Sequence, residues 1–261
     1  MTTPAPTEMP FLDHLEELRW RLIRCLGAVA VGFVVAFVVV LKFSVIKLLS
    51  APIAPYLGEG GRLVVTAPGD SFSIVISTAL YLALVLASPV ILYQLWAFLS
   101  PALYQHEKRV VIPVLLGGVL LFFAGAALAY FVVVPLTLRF LMTFQAESLT
   151  QMITAANYFS FVTNLILLFG VVFELPIVIV ALAALGVVQA RMLGRFRKHA
   201  FVGIWVTSAI VTPGDFIGTT LVLTASLYLL YEVSIALAVV IEKRRAKRLS
   251  ILDEDRQEAL A

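Results

Sequence analysis

One glutamate of this chain stands inside an apolar stretch. The run VVFELPIVIV, residues 171–180, holds Glu174 and Pro176 within an apolar segment that reaches from Phe159 to about Leu185. An ionised carboxylate at mid-membrane costs about 2.5–3.5 kcal/mol on insertion scales, and less where water or a polar partner reaches it. Pro176 has no backbone N–H, so it frees a carbonyl nearby. We predict that Glu174 faces a concave pocket wetted from one leaflet, where it meets a partner helix or thins the membrane. A neutral Glu174, bonded within its own or a neighbouring helix, is the alternative.

Two further acids lie near predicted membrane boundaries. The leader FLDHLEELRWRLIR, residues 11–24, spaces its apolar residues at helical intervals. This pattern predicts an amphipathic helix that lies in the interface before it turns into the first span. Glu17 precedes Arg21 by four residues, the spacing of an ordinary surface ion pair. The loop SPALYQHEKR, residues 100–109, puts Glu107 at the start of the third span, where an acid is also favoured by the helix N-terminus.

No catalytic signature accompanies these acids. The chain has no Walker loop, no G-x-S-x-G and no H-E-x-x-H, and its three histidines are far apart in sequence. Cys25 is the only cysteine, which excludes an intramolecular disulfide and a cysteine metal cluster. We therefore expect no enzyme activity, no metal and no cofactor.

The composition indicates which elements carry these residues. Hydrophobic residues make up 61% of the 261 residues and charged residues 13%, with a mean hydropathy of +1.02, which is typical of a polytopic membrane protein. Windows long enough to cross a bilayer lie near 22–41, 72–97, 110–134 and 158–185. Two more, 201–212 and 216–240, are separated by the tight turn TPGD, Thr212 to Asp215. The sequence therefore predicts an all-α protein with six transmembrane helices.

The fifth of these spans is short. About a dozen apolar residues make roughly 18–20 Å of helix, so the bilayer must thin if helices five and six both cross. The alternative is a re-entrant hairpin that never crosses. Hydroxyl residues in this region either bond their own backbone or, with Asp215 of the turn, form a docking face for single-span partners. They are Thr207, Ser208, Thr212, Thr219 and Thr220.

The basic residues predict the orientation. Fifteen Lys and Arg residues lie on the side that holds both termini, and four, Lys42, Lys47, Arg62 and Arg139, lie on the other. This bias makes both termini cytoplasmic. The net charge of +3 is therefore explained by the membrane topology and does not indicate a nucleic-acid partner. We expect one membrane domain over 1–261, with a leader at 1–21, a cytoplasmic tail at 241–261, and outer connections at 43–71 and 135–157 built from short elements.

Several stretches, taken together, resemble a known family. The chain is similar to TatC, the multispanning receptor of the twin-arginine protein translocase. The matching stretches, in order, are HLEELR (14–19), SPVILYQLWAFLSPALYQHEKR (88–109), AYFVVVPL (129–136), FGVVFELPI (169–177) and VTPGD (211–215). The resemblance implies a six-span protein of a bacterial cytoplasmic membrane, or of an archaeal or thylakoid membrane. It also implies binding of twin-arginine signal peptides of folded cargo, TatA-like and TatB-like single-span partners, and assembly with further TatC copies.

The resemblance also assigns roles to single residues. It places Glu17 and Glu107 in the recognition site for the signal peptide, and we expect Arg19 and Gln94 to position these acids. A guanidinium offers a planar fork of donors that a carboxylate accepts, whereas a lysine is a strongly hydrated point charge, so two acids can distinguish RR from KK. Gly214 and Thr219 stand where the family often has a proline and a glutamine.

Two other classes of function compete with this one. A proton-coupled secondary transporter would use Glu174 as its proton carrier. Against it, Pro89 and Pro176 do not occupy corresponding places of a three-plus-three repeat. A passive scaffold for other membrane proteins would bind no signal peptide, so comparing RR and KK peptides separates it from a receptor.

Overall fold

The computed structural model describes residues 11–57, 62–99, 108–143, 152–184, 188–211 and 218–258. Within these ranges the regular elements are helices. They are α1 (Phe11–Lys42), α2 (Val45–Ser50), a 3-10 helix (Ala51–Tyr56), α3 (Asp70–Leu99), α4 (Lys108–Leu128), a π-helical segment (Ala129–Val133), α5 (Val134–Thr143), α6 (Ala155–Val172), α7 (Leu175–Ala184), α8 (Ala190–Arg195), α9 (Arg197–Val211) and α10 (Gly218–Glu258).

Five helical segments of the described chain are long and apolar enough to cross a membrane. They are Leu15–Lys42, Asp70–Phe98, Leu115–Thr143, Ala155–Ala183 and Gly218–Val240. The predicted fifth span corresponds to α9, which has 15 residues, Arg197–Val211. The all-helical, multi-pass architecture is thus present, and a crossing by α9 stays a prediction.

Several element bounds differ from those expected. α1 continues without a break from Phe11 to Lys42, so the leader and the first span form one helix without a turn between them. The reason is local, since no proline or glycine interrupts residues 11–26. Residues 135–143, expected in a connection, instead extend the third apolar helix. The wide π-helical turn before Pro135 accommodates its missing N–H without ending the helix.

The helices pack through small side chains. α1 lies along α3, where Ala36, Ala79 and Ala83 are buried. At Gly32 a Cβ atom would lie 3.1 Å from the Ala83 carbonyl oxygen. Close backbone approach of this kind is the main way helices associate in lipid, because there is no hydrophobic drive between them.

The connection between α1 and α3 is folded onto the other helices. The Tyr130 hydroxyl donates to the Leu48 carbonyl at 2.6 Å, and the Tyr158 hydroxyl donates to the Leu49 carbonyl at 2.7 Å. Backbone bonds of 3.1 Å and 2.8 Å also join Val64 to Ile153 and to Ala155, the first residue of α6. The short elements predicted for this connection therefore form a cap that contacts the π-helical segment and α6.

Candidate functional site

A polar cluster joins the beginning of α1 to the end of α3. Arg21 Nε donates to Glu17 Oε1 at 3.0 Å, and a second guanidinium nitrogen, Nη2, also contacts this oxygen. Arg21 Nη1 reaches Gln94 Oε1 on α3 at 3.4 Å. The i,i+4 spacing on one helix brings Glu17 and Arg21 together, and the packing of α1 along α3 brings Gln94 to them.

The cluster is more buried than a surface ion pair. The side chains of Arg21 and Glu17 are 16% and 24% exposed, and Gln94 is buried. A partly buried pair is less screened by salt than an exposed one. The pair therefore fixes the Glu17 carboxylate at a defined place on α1.

The structure describes one of the other two residues predicted for this site. Arg19 is exposed on α1. Glu107 lies outside the described residues. Arg21 was not among the predicted site residues, although it is the side chain that contacts both Glu17 and Gln94. Its i,i+4 spacing from Glu17 is the sequence signal for this contact, although the same spacing is also that of an ordinary surface ion pair.

Glu174 lies at a helix break. α6 ends at Val172 and α7 begins at Leu175, because Pro176 cannot donate to the ladder one turn back. The Glu174 carbonyl accepts bonds of 3.0 Å and 3.1 Å from the N–H groups of Ile177 and Val178. The turn between the two helices thus keeps most of its backbone groups paired and projects the Glu174 side chain against α4.

The Glu174 side chain is buried and lacks a hydrogen-bond partner. It is 8% exposed, and neither carboxyl oxygen has a partner within the described part of the chain. A Cβ atom at Gly118 of α4 would lie 3.1 Å from Glu174 Oε2, so glycine makes room for the carboxyl group there. Burial without a partner costs stability, which indicates that this residue is kept for a reason other than folding.

Replacing Glu174 with leucine tests this cost. We expect Glu174→Leu to stabilise the protein by about 1–3 kcal/mol, because it removes an unpartnered buried polar group while keeping most of the side-chain volume. Thermal unfolding in detergent measures the change, and Glu174→Gln, which keeps a polar group, is the control with the smaller expected gain. A lower unfolding temperature for Glu174→Leu would show that the carboxyl group is satisfied.

The residues predicted for partner docking are described only in part. Thr219 is buried in α10, whereas Thr212 and Asp215 lie outside the described residues. The Thr207 hydroxyl donates to the Gly203 carbonyl at 2.8 Å, which is the self-bonding alternative for this position. Across the described ranges, no three His, Cys, Asp or Glu side chains gather as they would around a metal ion.

The fold and these sites define a class, a multi-pass helical membrane protein with an acid held at one helix end and another inside the apolar region. The family model described as "Sec-independent protein translocase protein (TatC)" matches residues 13–224. TatC proteins of Aquifex aeolicus and Escherichia coli K12 are 41% and 39% identical to the chain, over 91% and 87% of it and 98% and 86% of their own lengths. The TatC protein of Desulforapulum autotrophicum is 36% identical over 96% of this chain and 89% of its own.

Solved structures agree with the sequence relatives. A crystal structure described as "Twin Arginine Translocase Receptor- TatC" superposes with a TM-score of 0.72 at 42% identity, covering 88% of this chain and 99% of its own. A second one, in DDM, gives 0.73 at 41% identity, over 86% and 99%. The chain belongs to the TatC family of Sec-independent protein translocases, and the family resemblance inferred from its sequence is confirmed.

Proposed function

We propose that this protein is the signal-peptide receptor of a twin-arginine translocase, with both termini in the cytoplasm. It binds paired arginines of folded precursors at the inner boundary of the cytoplasmic membrane. Glu17 and Glu107 accept the guanidinium groups, and the exposed Arg19 helps to orient the peptide or these acids. The apolar segment of the signal peptide lies against the first two spans.

The observation that carries this proposal is that Glu17 already accepts two donors of one guanidinium, that of Arg21. The position therefore has the geometry and charge that an arginine requires. Gln94 contacts the same guanidinium, so Arg21 and Gln94 act as positioning residues that hold the acid ready. Preorganisation of this kind lowers the entropy that binding would otherwise cost.

Glu174 takes a second role in this proposal. In the single chain its carboxyl group is buried without a partner, and on assembly it turns to meet a polar group of a TatA-like or TatB-like helix or water from one leaflet. Thr212, Asp215 and Thr219 belong to the docking face for such partners, and further TatC copies complete the complex. The transporter alternative gains no support, because the relatives are named as components of a protein translocase.

A peptide-capture experiment tests the receptor function. A photoreactive RR signal peptide and its KK version are incubated with the purified protein in lipid nanodiscs. We expect RR capture to exceed KK capture, and Glu107→Gln to weaken RR binding roughly tenfold or more, since each charge-assisted hydrogen bond contributes about 1.5–3 kcal/mol. Thermal unfolding should stay unchanged.

The matched control lies next to Glu17. Glu16 is exposed on the same helix, and Glu16→Gln removes an equal charge without touching the cluster, so RR affinity should persist. Equal capture of RR and KK peptides would exclude the receptor function and favour a passive scaffold. Unchanged RR affinity in Glu107→Gln would remove Glu107 from the site.

A further inference from the structure

A further feature of the molecule is an apolar cleft between helices. An apolar cleft of about 420 Å³ lies between the α6–α7 pair and the α9–α10 pair. Gly203 and Ile204 of α9 form one wall, and Leu223 and Leu227 of α10 form another. The polar cluster of Glu17, Arg21 and Gln94 is not part of its lining, and neither is Glu174.

The side-chain hydroxyl groups on the cleft wall need no hydrogen-bond partner from a ligand. The two side-chain hydroxyls on its wall already have partners, since Thr207 donates to the Gly203 carbonyl at 2.8 Å and Tyr231 donates to the Leu193 carbonyl at 2.8 Å. A hydrocarbon chain therefore fits without leaving a polar group unsatisfied. The volume of about 420 Å³ is small beside that of a whole helix, which is about 10–12 Å across with its side chains.

The cleft lining contacts a helix that carries basic residues. Tyr231 lines the cleft, and its hydroxyl donates to the Leu193 carbonyl of α8. Exposed cations surround this junction of α8 and α9, and none of them forms an ion pair within the described part of the chain. They are Arg191, Arg195 and Lys198.

The acids nearby already have partners. Glu232 of α10 forms an ion pair with Arg197 at 2.8 Å, and Glu242 accepts the Ala190 N–H at 2.6 Å. These two bonds fix α8 and the start of α9 on α10. The two helices that carry the remaining cations are therefore anchored next to Tyr231 of the cleft lining, and the acids nearby do not neutralise these cations.

We propose that this cleft binds one anionic phospholipid. An acyl chain fills the apolar space, and the phosphate group lies against Arg191, Arg195 and Lys198. Basic pockets between membrane helices recognise anionic head groups in this way, whereas the apolar part alone would accept any lipid chain. The inference goes beyond the receptor function and needs no signal peptide, so either can fail without the other.

Native mass spectrometry of the detergent-purified protein tests the cleft. Dioleoyl phosphatidylglycerol and dioleoyl phosphatidylcholine share their chains and differ in head-group charge. We expect the wild-type protein to retain one phosphatidylglycerol at least tenfold more tightly than phosphatidylcholine. Gly203→Leu should remove that difference, because Gly203 lines the cleft and a Cβ there meets no atom within 4 Å, which leaves room for a leucine side chain to occupy the lipid's place.

Two further variants complete the design. Gly27 of α1 also has open space at its Cβ position, so Gly27→Leu is the matched control and should keep the bound lipid. The double variant Arg195→Gln, Lys198→Gln should lower phosphatidylglycerol affinity to the phosphatidylcholine level and leave phosphatidylcholine binding unchanged.

Three results would overturn the proposal. Equal affinity of the wild-type protein for the two lipids would mean that no head group is recognised. Unchanged phosphatidylglycerol affinity in either Gly203→Leu or the double variant would place the lipid elsewhere. A change of oligomeric state in Gly203→Leu without loss of lipid would mean that a second copy occupies the cleft.

Discussion

Gly125→Ala is expected to destabilise the protein by about 1–3 kcal/mol, the range for overpacking a tight interface. A Cβ atom at Gly125 would lie 2.5 Å from the Phe169 carbonyl oxygen and 2.7 Å from Cγ of Phe173. The first of these atoms belongs to the backbone, so no rotamer change relieves the contact and α4 must move away from α6. Thermal unfolding in detergent, followed by the monodisperse fraction on gel filtration, measures the loss.

A glycine two turns away on α4 provides the control. At Gly117 the nearest atom to an added Cβ is Ile177 Cδ1 at 4.0 Å, so Gly117→Ala meets ordinary packing. Alanine is better than glycine inside a helix, so this variant should be neutral or slightly more stable. Equal stability of Gly125→Ala and Gly117→Ala would show that α4 and α6 are not held at close contact.

The α4–α6 contact also concerns Glu174. A Cβ atom at Gly170 of α6 would lie 2.8 Å from the Phe122 ring of α4. Gly125 and Gly170 therefore both lie where α4 and α6 approach each other closely. Phe173, which contacts Gly125, immediately precedes Glu174 at the helix break. The close approach of the two helices therefore holds the carboxyl group against Gly118, next to the break that Pro176 causes.

Hydropathy and proline positions predict much of this fold. Apolar windows located the long membrane helices, because a run of roughly 20 apolar residues has few other stable states. Pro176 was expected to loosen the ladder, and the helix breaks just before it. Hydropathy does not predict that the third apolar helix continues to Thr143, because the π-helical turn that tolerates Pro135 leaves no signal in the hydropathy of the sequence.

The sequence predicts fewer of the contacts in the candidate site. Glu17 and Arg21 are four residues apart, so helical spacing alone predicts their contact. Gln94 is 73 residues from Arg21, and only the packing of α1 on α3 brings them together. The contact between Glu174 and Gly118 likewise depends on how two helices cross, which a single sequence without coupled positions does not determine.

Charge reversal in the Glu17–Arg21 pair separates an effect on peptide recognition from an effect on protein stability. Glu17→Arg should weaken RR-peptide binding at least a hundredfold, because it removes charge-assisted hydrogen bonds of about 1.5–3 kcal/mol each and adds repulsion between like charges. It also places two arginines at i,i+4, which destabilises the helix modestly. Binding is measured by fluorescence anisotropy of a labelled RR peptide, and stability by thermal unfolding.

The exchanged variant Glu17→Arg, Arg21→Glu restores the ion pair in reverse order. Gln94 still has a partner, because its amide can donate to the new carboxylate as readily as it accepts from a guanidinium. Stability should therefore return close to that of the wild-type protein, while RR binding should stay lost, since the acid has moved one turn along α1. Recovery of RR binding in the exchanged protein would mean that the peptide senses only the net charge of the cluster. A purely structural pair would show no binding defect beyond its stability defect, so the two readouts would then move together.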